Sequence, residues 1–241
     1  MTKPYYQDDW VTIYHGDCRE ILPELSDKSI DLTLTSPPFN LGGNYHHTGN
    51  YRHKPYADDL PEIEYRQNQI EILDALYDIV KSTGSLWYQH KNRIKNGLSS
   101  TPYEWLLKTK WQMKQEIVWV NGSQNFDKCR FYPMTERIYW LVKDKHTRLD
   151  NIVNRHDDWH IEPVGTNTLV KRAFPEELAQ TIIVCFPTAS QILDPFLGSG
   201  TTAYCAKKLG RKCIGIEIEE RYCEIASKRC SQTVMQMGDL K

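Results

Sequence analysis

Several features that would place this sequence in a familiar class of protein are missing from it. No apolar run approaches the roughly 20 residues that a membrane-spanning helix needs, and no apolar segment follows the charged start, so we expect neither membrane association nor a signal peptide. The seven cysteines form no C-x-x-C pair and are scattered through apolar segments. This spacing argues against a zinc site or a disulfide framework and favours reduced thiols, so we expect a cytoplasmic protein.

An excess of charge of one sign is also missing. The 241 residues carry a formal net charge of -1, so nucleic acid could be bound only through a local basic face. Hydrophobic residues make up 40% of the chain and charged residues 25%, which is typical of a globular protein. Because no repeat, low-complexity tract or linker interrupts the chain, we predict a single domain over residues 1–241.

Short apolar runs alternate with helical patterns, which predicts an α/β fold around a mostly parallel sheet of seven strands. The predicted strands are Val11–Tyr14, Ile30–Thr35, Ser85–Gln89, Ile117–Val120, Arg137–Val142, Gln191–Asp194 and Lys212–Ile218. The predicted helices are Glu64–Lys81, Ser100–Thr109, Pro175–Phe186, Thr201–Leu209 and Glu219–Cys230. No helix-length segment separates Ile117–Val120 from Arg137–Val142, so we predict that they form one antiparallel hairpin at a sheet edge.

Three long segments fit no element: 41–61, 121–133 and 143–172. Loops of this length in a compact domain are usually functional or disordered. Their aromatic residues argue against pure disorder.

One glycine-rich turn follows a predicted strand and reads D-P-F-L-G-S-G-T-T over Asp194–Thr202. Glycines let the backbone approach a ligand, and amides at the start of the next helix favour a negative group such as a carboxylate. The turn lacks both the G-x-G-x-x-G spacing of dinucleotide-binding proteins and the ending of a P-loop. The next strand carries Glu217 about twenty residues later, where such folds commonly bind ribose hydroxyls; a solvated position at the start of a helix is the alternative. Together these features predict a nucleoside-carrying ligand.

A second turn follows the predicted strand Ile30–Thr35 and reads S-P-P-F-N over Ser36–Asn40. Two prolines cannot continue a β-ladder, so the backbone turns stiffly at the carboxyl end of the strand. That edge is where α/β sheets place ligands. The turn would present a hydroxyl, a prolyl carbonyl and a phenyl ring in fixed positions, although a simple strand-terminating turn is the alternative.

With T-S-P-P-F-N first and D-P-F-L-G-S-G-T-T last, the chain resembles the beta-class, circularly permuted amino-methylating DNA methyltransferases. Tyr14–Cys18, Asp157–Ile161 and Phe174–Leu178 resemble shorter segments of that family, in the same order. One departure is Lys171–Ala173, where the family often has His-Pro-Ala. The resemblance implies a Rossmann-like methyltransferase fold, S-adenosylmethionine as cofactor and double-stranded DNA as partner.

The resemblance also implies a set of site residues. Asp17 would contact the adenosine, Glu217 the ribose, and Asp194 would lie near the methionine amino group. The implied cofactor-binding residues are Asp17, Asp194, Phe196, Gly198, Gly200, Thr201 and Glu217. The implied catalytic residues are Ser36, Pro37, Pro38 and Phe39.

An exocyclic amine is a poor nucleophile because its lone pair is delocalised into the ring. Ser36 Oγ and the Pro37 carbonyl would accept hydrogen bonds from the amine and so free that lone pair. Phe39 would stack on a base that has left the duplex. This chemistry needs neither a metal nor a covalent enzyme intermediate. The resemblance associates S-P-P-F mainly with N4-cytosine products, so we predict N4-methylcytosine, with N6-methyladenine as the alternative.

Clusters of basic residues are the candidate phosphate contacts, and DNA binding through them would depend steeply on salt. They are Arg52, Lys54, Lys91, Arg93, Lys128 and Arg130. Segments 41–61, 121–133 and 143–172 are the candidate recognition loops, and the absence of a large inserted domain predicts a short recognition sequence or a homodimer. No metal site is predicted at His46, His47 and His53, which have no partner cysteines.

Other functions remain as alternatives. The non-enzyme alternative is a catalytically silent nucleic-acid-binding homologue. RNA or protein glutamine as the methyl acceptor is disfavoured. The relevant protein-glutamine enzymes resemble a chain in which N-P-P-Y follows the glycine-rich turn, and here the order of the two turns is the opposite. The missing G-x-G-x-x-G disfavours a nicotinamide oxidoreductase. A restriction-modification, host-regulatory or phage role would each fit the sequence.

Overall fold

The computed structural model describes residues 2–42, 58–122, 129–152, 156–164 and 175–232. The strands in these ranges are β1 (Tyr6–Gln7), β2 (Val11–His15), β3 (Ile30–Thr35), β4 (Val80–His90), β5 (Arg93–Lys95), β6 (Leu98–Ser100), β7 (Gln112–Val120), β8 (Thr135–Val142), β9 (Asp158–Trp159), β10 (Gln191–Asp194) and β11 (Lys212–Glu217). The helices are α1 (Cys18–Ile21), α2 (Glu62–Ile79), α3 (Tyr103–Leu106), α4 (Glu176–Val184), α5 (Thr201–Lys208) and α6 (Glu220–Ser231), with a 3₁₀ turn at Leu22–Glu24.

Nine of these strands form one mixed sheet in the order β1-β2-β11-β10-β3-β4-β8-β7-β9. The five strands β2, β11, β10, β3 and β4 run parallel, while β1 and β8 pair antiparallel with their neighbours. The prediction of seven strands with one edge hairpin was therefore wrong. The strands β1 and β9 have two residues each, which is too short to show a period in the sequence.

The predicted antiparallel pairing of β7 with β8 is present, but it does not lie at an edge. Strand β8 also pairs with β4, and Val118 and Trp119 of β7 pair in parallel with Asp158 and Trp159 of β9. The segment 143–172, predicted to hold no element, therefore contributes an edge strand. Its position is fixed by long-range pairing that no local pattern predicts.

Helices cover both faces of the sheet. Helices α4, α5 and α6 pack on one apolar cluster, which includes Leu34 and Ile192. Residues of α1, α2 and α3 join a second cluster that contains Leu86 and Leu193. Neighbouring residues of one strand enter opposite clusters, as Ile192 and Leu193 do, because side chains alternate across a strand.

Helix α3 is shorter than the predicted Ser100–Thr109. Ser100 pairs with Arg93 in a small separate hairpin of β5 and β6, and Pro102 is the residue before the first helical turn. Strand pairing thus removes the first residues of the predicted helix. Strand β4 is longer than predicted and begins at Val80, directly after α2.

The carboxyl ends of the five parallel strands meet at one edge of the sheet, as parallel pairing requires. In spatial order, this edge carries Asp17 after β2, Glu217 on β11, Asp194 on β10, Ser36 after β3 and Gln89 on β4. The two turns singled out in the sequence are therefore neighbours. Within the described ranges, no helix is long and apolar enough to cross a membrane.

Candidate active site

The glycine-rich turn joins β10 to α5 in a backbone conformation that favours glycine. Gly198 has a φ of +53° and Gly200 a φ of +81°, values that other residues rarely adopt. A Cβ atom at Gly200 would lie 2.8 Å from the Cβ of Ala226. At Gly198, the one atom of the described residues that it would approach is the Phe196 carbonyl oxygen, at 4.0 Å. Gly200 thus permits close packing against α6, and Gly198 leaves space beside the turn.

Asp194 links the two turns through its buried side chain. Its carboxylate, only 1% exposed, accepts hydrogen bonds from Thr35 Oγ1 at 2.8 Å and Thr202 Oγ1 at 2.6 Å, and from the Phe196 amide at 3.1 Å. Burial raises the pKa of Asp194 to about 6, although these donors favour the charged form. Thr35 directly precedes Ser36, so this carboxylate connects the end of β3 to the glycine-rich turn.

Glu217 supports the same turn from the neighbouring strand. Its carboxylate accepts hydrogen bonds from the Gly198 amide at 2.8 Å and the Glu219 amide at 2.9 Å. Burial raises the pKa of Glu217 to about 7, with smaller contributions from the charges of Glu219 and Asp194. With 8% of its surface exposed, Glu217 does not occupy the solvated position that was its alternative.

The remaining cofactor candidates lie on the same side of the edge. Asp17 caps α1 by accepting the Arg19 amide at 2.9 Å, and the Arg19 guanidinium at 2.6 Å lowers the pKa of Asp17. Thr201 is buried at the start of α5, where its hydroxyl accepts from Arg229 at 3.1 Å. Arg229 also contacts Glu176 at 2.6 Å, so the Thr201 side chain is part of the packing among α4, α5 and α6.

The serine–proline turn is held by side chains from other elements. Ser36 Oγ hydrogen-bonds to Gln89 Oε1, and Gln89 Nε2 hydrogen-bonds to Glu136 Oε2. The carbonyl of Pro38 accepts from the Tyr65 hydroxyl at 2.8 Å. These contacts fix the backbone and the hydroxyl orientation in the turn.

The ring of Phe39 is half-buried. It packs on His90, with 4.5 Å between ring centroids and a tilt of 46°. His90 is buried and its Nε2 lies 2.8 Å from the Tyr65 hydroxyl, and this burial lowers the pKa of His90 to about 3. A neutral imidazole therefore supports the phenyl ring.

The chain leaving this turn is clamped by Asp58. Asn40, with a φ of +53°, donates its amide to Asp58 Oδ1 at 2.7 Å, and Lys95 Nζ donates to the Asn40 carbonyl at 2.6 Å. Burial raises the pKa of Asp58. The segment 41–61 thus returns beside the turn at its described end, although residues 43–57 lie outside the described ranges.

The structure contradicts the prediction for Arg93 as a phosphate contact. Its side chain is 0% exposed and bonds to Glu62 Oε1 at 2.5 Å, while the guanidinium carbon lies 4.8 Å and 5.5 Å from the ring centroids of Tyr65 and Trp105. A neutralised, enclosed guanidinium cannot meet a phosphate. Pairing with a carboxylate distant in sequence lets the Arg93 charge be buried, and no local sequence pattern predicts such a pair.

Of the other basic candidates, Lys91 is half-buried and Arg130 is exposed in the structure. The remaining ones, Arg52, Lys54 and Lys128, lie outside the described ranges, as do His46, His47, His53 and Phe174. Within the part of the chain that is described, no group of three or more His, Cys, Asp or Glu side chains is arranged to hold a metal ion.

The sequence interpretation missed four residues that hold the two turns: Thr35, Tyr65, Gln89 and Glu136. Thr35 and Gln89 had a usable signal, because each is a polar residue at the carboxyl end of a predicted parallel strand, where sites form. Tyr65 and Glu136 gave none, since each reaches the site through tertiary packing.

Known proteins resemble this chain over a range that includes both turns. The sequence profile of a family described as DNA methylase (N6_N4_Mtase) matches residues 30–228. The type II methyltransferase M.ScaI of Streptomyces caespitosus is 30% identical over 266 aligned residues, which cover 95% of this chain and 84% of that protein.

Two solved structures share the fold. One is the PvuII DNA methyltransferase (cytosine-N4-specific), with a TM-score of 0.79, 22% identity and coverage of 99% of this chain and 92% of that one. The other is an M1.HpyAVI–SAM complex, with a TM-score of 0.62, 23% identity and coverage of 92% and 100%.

Proposed function

This chain belongs to the DNA methylase family of N6 and N4 amino-methyltransferases, and we propose that within it the chain transfers a methyl group from S-adenosylmethionine to N4 of cytosine in DNA. The observation that carries the proposal is the junction of the two turns. Ser36 and the glycine-rich turn lie side by side, and the Thr35–Asp194 hydrogen bond of 2.8 Å joins them. A methyl donor on one turn would therefore face a base held by the other.

The residues on the glycine-rich side fit S-adenosylmethionine. The open space at Gly198 admits a ligand close to the backbone, and the amides that begin α5 suit its carboxylate. Glu217 and Asp17 supply acceptors for ribose and adenosine hydroxyls or amines, and Asp194 supplies negative charge beneath the turn. When bound, this cofactor supplies an electrophilic methyl group.

The serine–proline turn would activate the target amine. Ser36 Oγ and the Pro37 carbonyl would each accept a hydrogen bond from the amine, which would localise the amine's lone pair on its nitrogen. Phe39, supported by His90, stacks on the face of the flipped base. The methylated nitrogen would then lose one of its hydrogens as a proton, which would leave to solvent. Holding the reactants in line can contribute roughly 7–11 kcal/mol to lowering the barrier.

The choice of cytosine rests on Ser36. A neutral hydroxyl stands first in the turn, in the S-P-P-F arrangement that resembles N4-cytosine enzymes. The structural likeness to the cytosine-N4-specific PvuII enzyme supports the fold, because 22% identity carries no more. N6-adenine remains the second candidate, since the family name covers both amines and both bases offer an amine beside a ring nitrogen acceptor.

DNA contacts complete the proposal. Lys91 and Arg130, with Arg52, Lys54 and Lys128, would contact phosphates, and residues 41–61, 121–133 and 143–172 would read the bases. We further propose that the recognition sequence is short or that a homodimer contributes to reading it. Each phosphate contact adds to the salt dependence of binding.

The test is to incubate the protein with unmethylated double-stranded DNA and labelled S-adenosylmethionine, then identify the modified nucleoside by mass spectrometry. We expect N4-methylcytosine, and none with Ser36→Ala. N6-methyladenine would keep the enzyme and reverse the base. Tight cofactor binding without label in DNA would contradict DNA as the acceptor, and absence of cofactor binding would favour a catalytically silent homologue.

A further inference from the structure

Three polar side chains form a line across neighbouring strands at the catalytic edge. Ser36 follows β3, Gln89 lies on β4 and Glu136 lies on β8, and these strands are adjacent in the sheet. Gln89 is 2% exposed and bridges the other two, its Oε1 with Ser36 Oγ and its Nε2 with Glu136 Oε2. None of the steps in the methyl transfer described above uses Gln89 or Glu136.

The chemistry of this line gives it a direction. An ionised carboxylate has acceptors only, so Glu136 requires the amide of Gln89 to turn its NH₂ group outward and its oxygen toward Ser36. Ser36 must then donate its hydroxyl proton to Gln89. Both lone pairs of Ser36 Oγ are thereby left for another donor.

We infer that Gln89 and Glu136 are positioning residues that hold the Ser36 hydroxyl as an obligate acceptor for the target amine. If the amide were reversed, its NH₂ group would occupy a lone pair of Ser36 and leave the serine proton to point at the amine. A neutral amide does not pass a proton readily, so the line sets the orientation of Ser36 and does not carry the amine's proton to Glu136. The inference rests on the proposed function and names the residues that prepare its acceptor.

The experiment reverses the direction and then restores it. Glu136→Lys places a donor where the carboxylate was, which favours the reversed amide, and we expect kcat to fall about tenfold or more. Glu136→Gln permits both orientations and should cost about threefold. In the double variant Gln89→Glu with Glu136→Lys, the new carboxylate accepts from both neighbours, and kcat should return to within about threefold of wild type.

The split between kinetic constants separates positioning from general damage. KM for S-adenosylmethionine should not change. Because kcat is measured at saturating DNA and saturating cofactor, a loss of kcat is not an effect of the added charge on affinity. The matched control is an exposed Gln–Glu pair on α2, in which Gln67 Nε2 donates to Glu71 Oε1 at 2.9 Å. Glu71→Lys should leave kcat as it is.

A second readout does not depend on turnover. The side-chain amide signal of Gln89 in a ¹⁵N–¹H spectrum, assigned by its loss in Gln89→Glu, should move in Glu136→Lys and stay in place in Glu71→Lys. An unmoved signal, or full kcat in Glu136→Lys, would overturn the inference. Product analysis of the wild type tests the proposed function separately, because the amide signal reports on Gln89 whether or not DNA is methylated.

Discussion

The two halves of the catalytic edge are built in different ways. On the glycine-rich side, buried carboxylates bind the turn's own backbone: Asp194 accepts the Phe196 amide two residues on, and Glu217 accepts the Gly198 amide from the next strand. On the serine–proline side, the turn is held by side chains distant in sequence. Tyr65 holds the Pro38 carbonyl, and Gln89 holds Ser36.

The glycine-rich turn thus depends on its backbone conformation, whereas the serine–proline turn depends on supporting side chains. A turn that depends on positive φ and close backbone packing tolerates no Cβ, so one substitution there changes the fold locally. A turn held by several separate hydrogen bonds loses only one of them when a supporting side chain is removed. The Thr35–Asp194 hydrogen bond joins the halves. We therefore expect substitutions on one side to leave the other side's function intact, except at this hydrogen bond.

Gly200→Ala should give the largest effect. The new Cβ would lie 2.8 Å from the Cβ of Ala226 at a φ of +81°, and strain with overpacking should cost about 4 kcal/mol of unfolding free energy. Urea denaturation measures it. Gly210→Ala is the matched control, because its φ is +69° and no atom of the described residues would lie within 4 Å of the new Cβ. Only about 1 kcal/mol is expected there. Equal losses at both positions would show that contact with α6 does not constrain the turn.

The pH dependence of stability should report Glu217. Burial raises the pKa of Glu217 from 4.5 to about 7, so the folded state binds its proton more tightly than the unfolded state does. The stabilising contribution is therefore present below about pH 4.5 and is lost as pH rises through about 7. Relative to Glu217→Gln, wild type should lose about 3 kcal/mol over that range. The measurement is the free energy of unfolding at each pH, from urea denaturation. If it changes with pH in the same way for both proteins, Glu217 does not have the raised pKa expected of a buried carboxyl group.

Tyr65→Phe should give the smallest effect, confined to the serine–proline side. Losing the hydroxyl leaves the Pro38 carbonyl without its donor, and we expect about 1 kcal/mol of lost stability and a several-fold lower kcat, with cofactor affinity intact. Tyr6→Phe is the control, because the Tyr6 hydroxyl also donates a hydrogen bond within the protein, to Asp8 at 2.7 Å, but lies on the edge strand β1. Its stability should fall similarly while kcat stays at the wild-type value. A change in cofactor affinity with Tyr65→Phe would break the separation between the halves.

Much of the architecture followed from local pattern. The central strands Ile30–Thr35 and Gln191–Asp194 have the predicted bounds, because buried parallel strands are short apolar runs that end in turn residues. Strand β9 did not follow, since it pairs with β7, which lies far away in sequence. Strand β1 and the β5–β6 hairpin pair with nearby residues, but their strands have only two or three residues each and show no period. Arg93 shows the same limit for function, because its exposure depends on Glu62, thirty-one residues away.

The sequence by itself determined the two turns, their order and the edge of the sheet on which they would lie, because proline, glycine and strand direction act over a few consecutive residues. Only the tertiary structure decided what holds those turns. The Asp194 bridge to Thr35 spans 159 residues, and the Gln89–Glu136 contact spans 47. Contacts of that range form when strands pair side by side, and strand order is a property of the folded sheet that neighbouring residues do not encode.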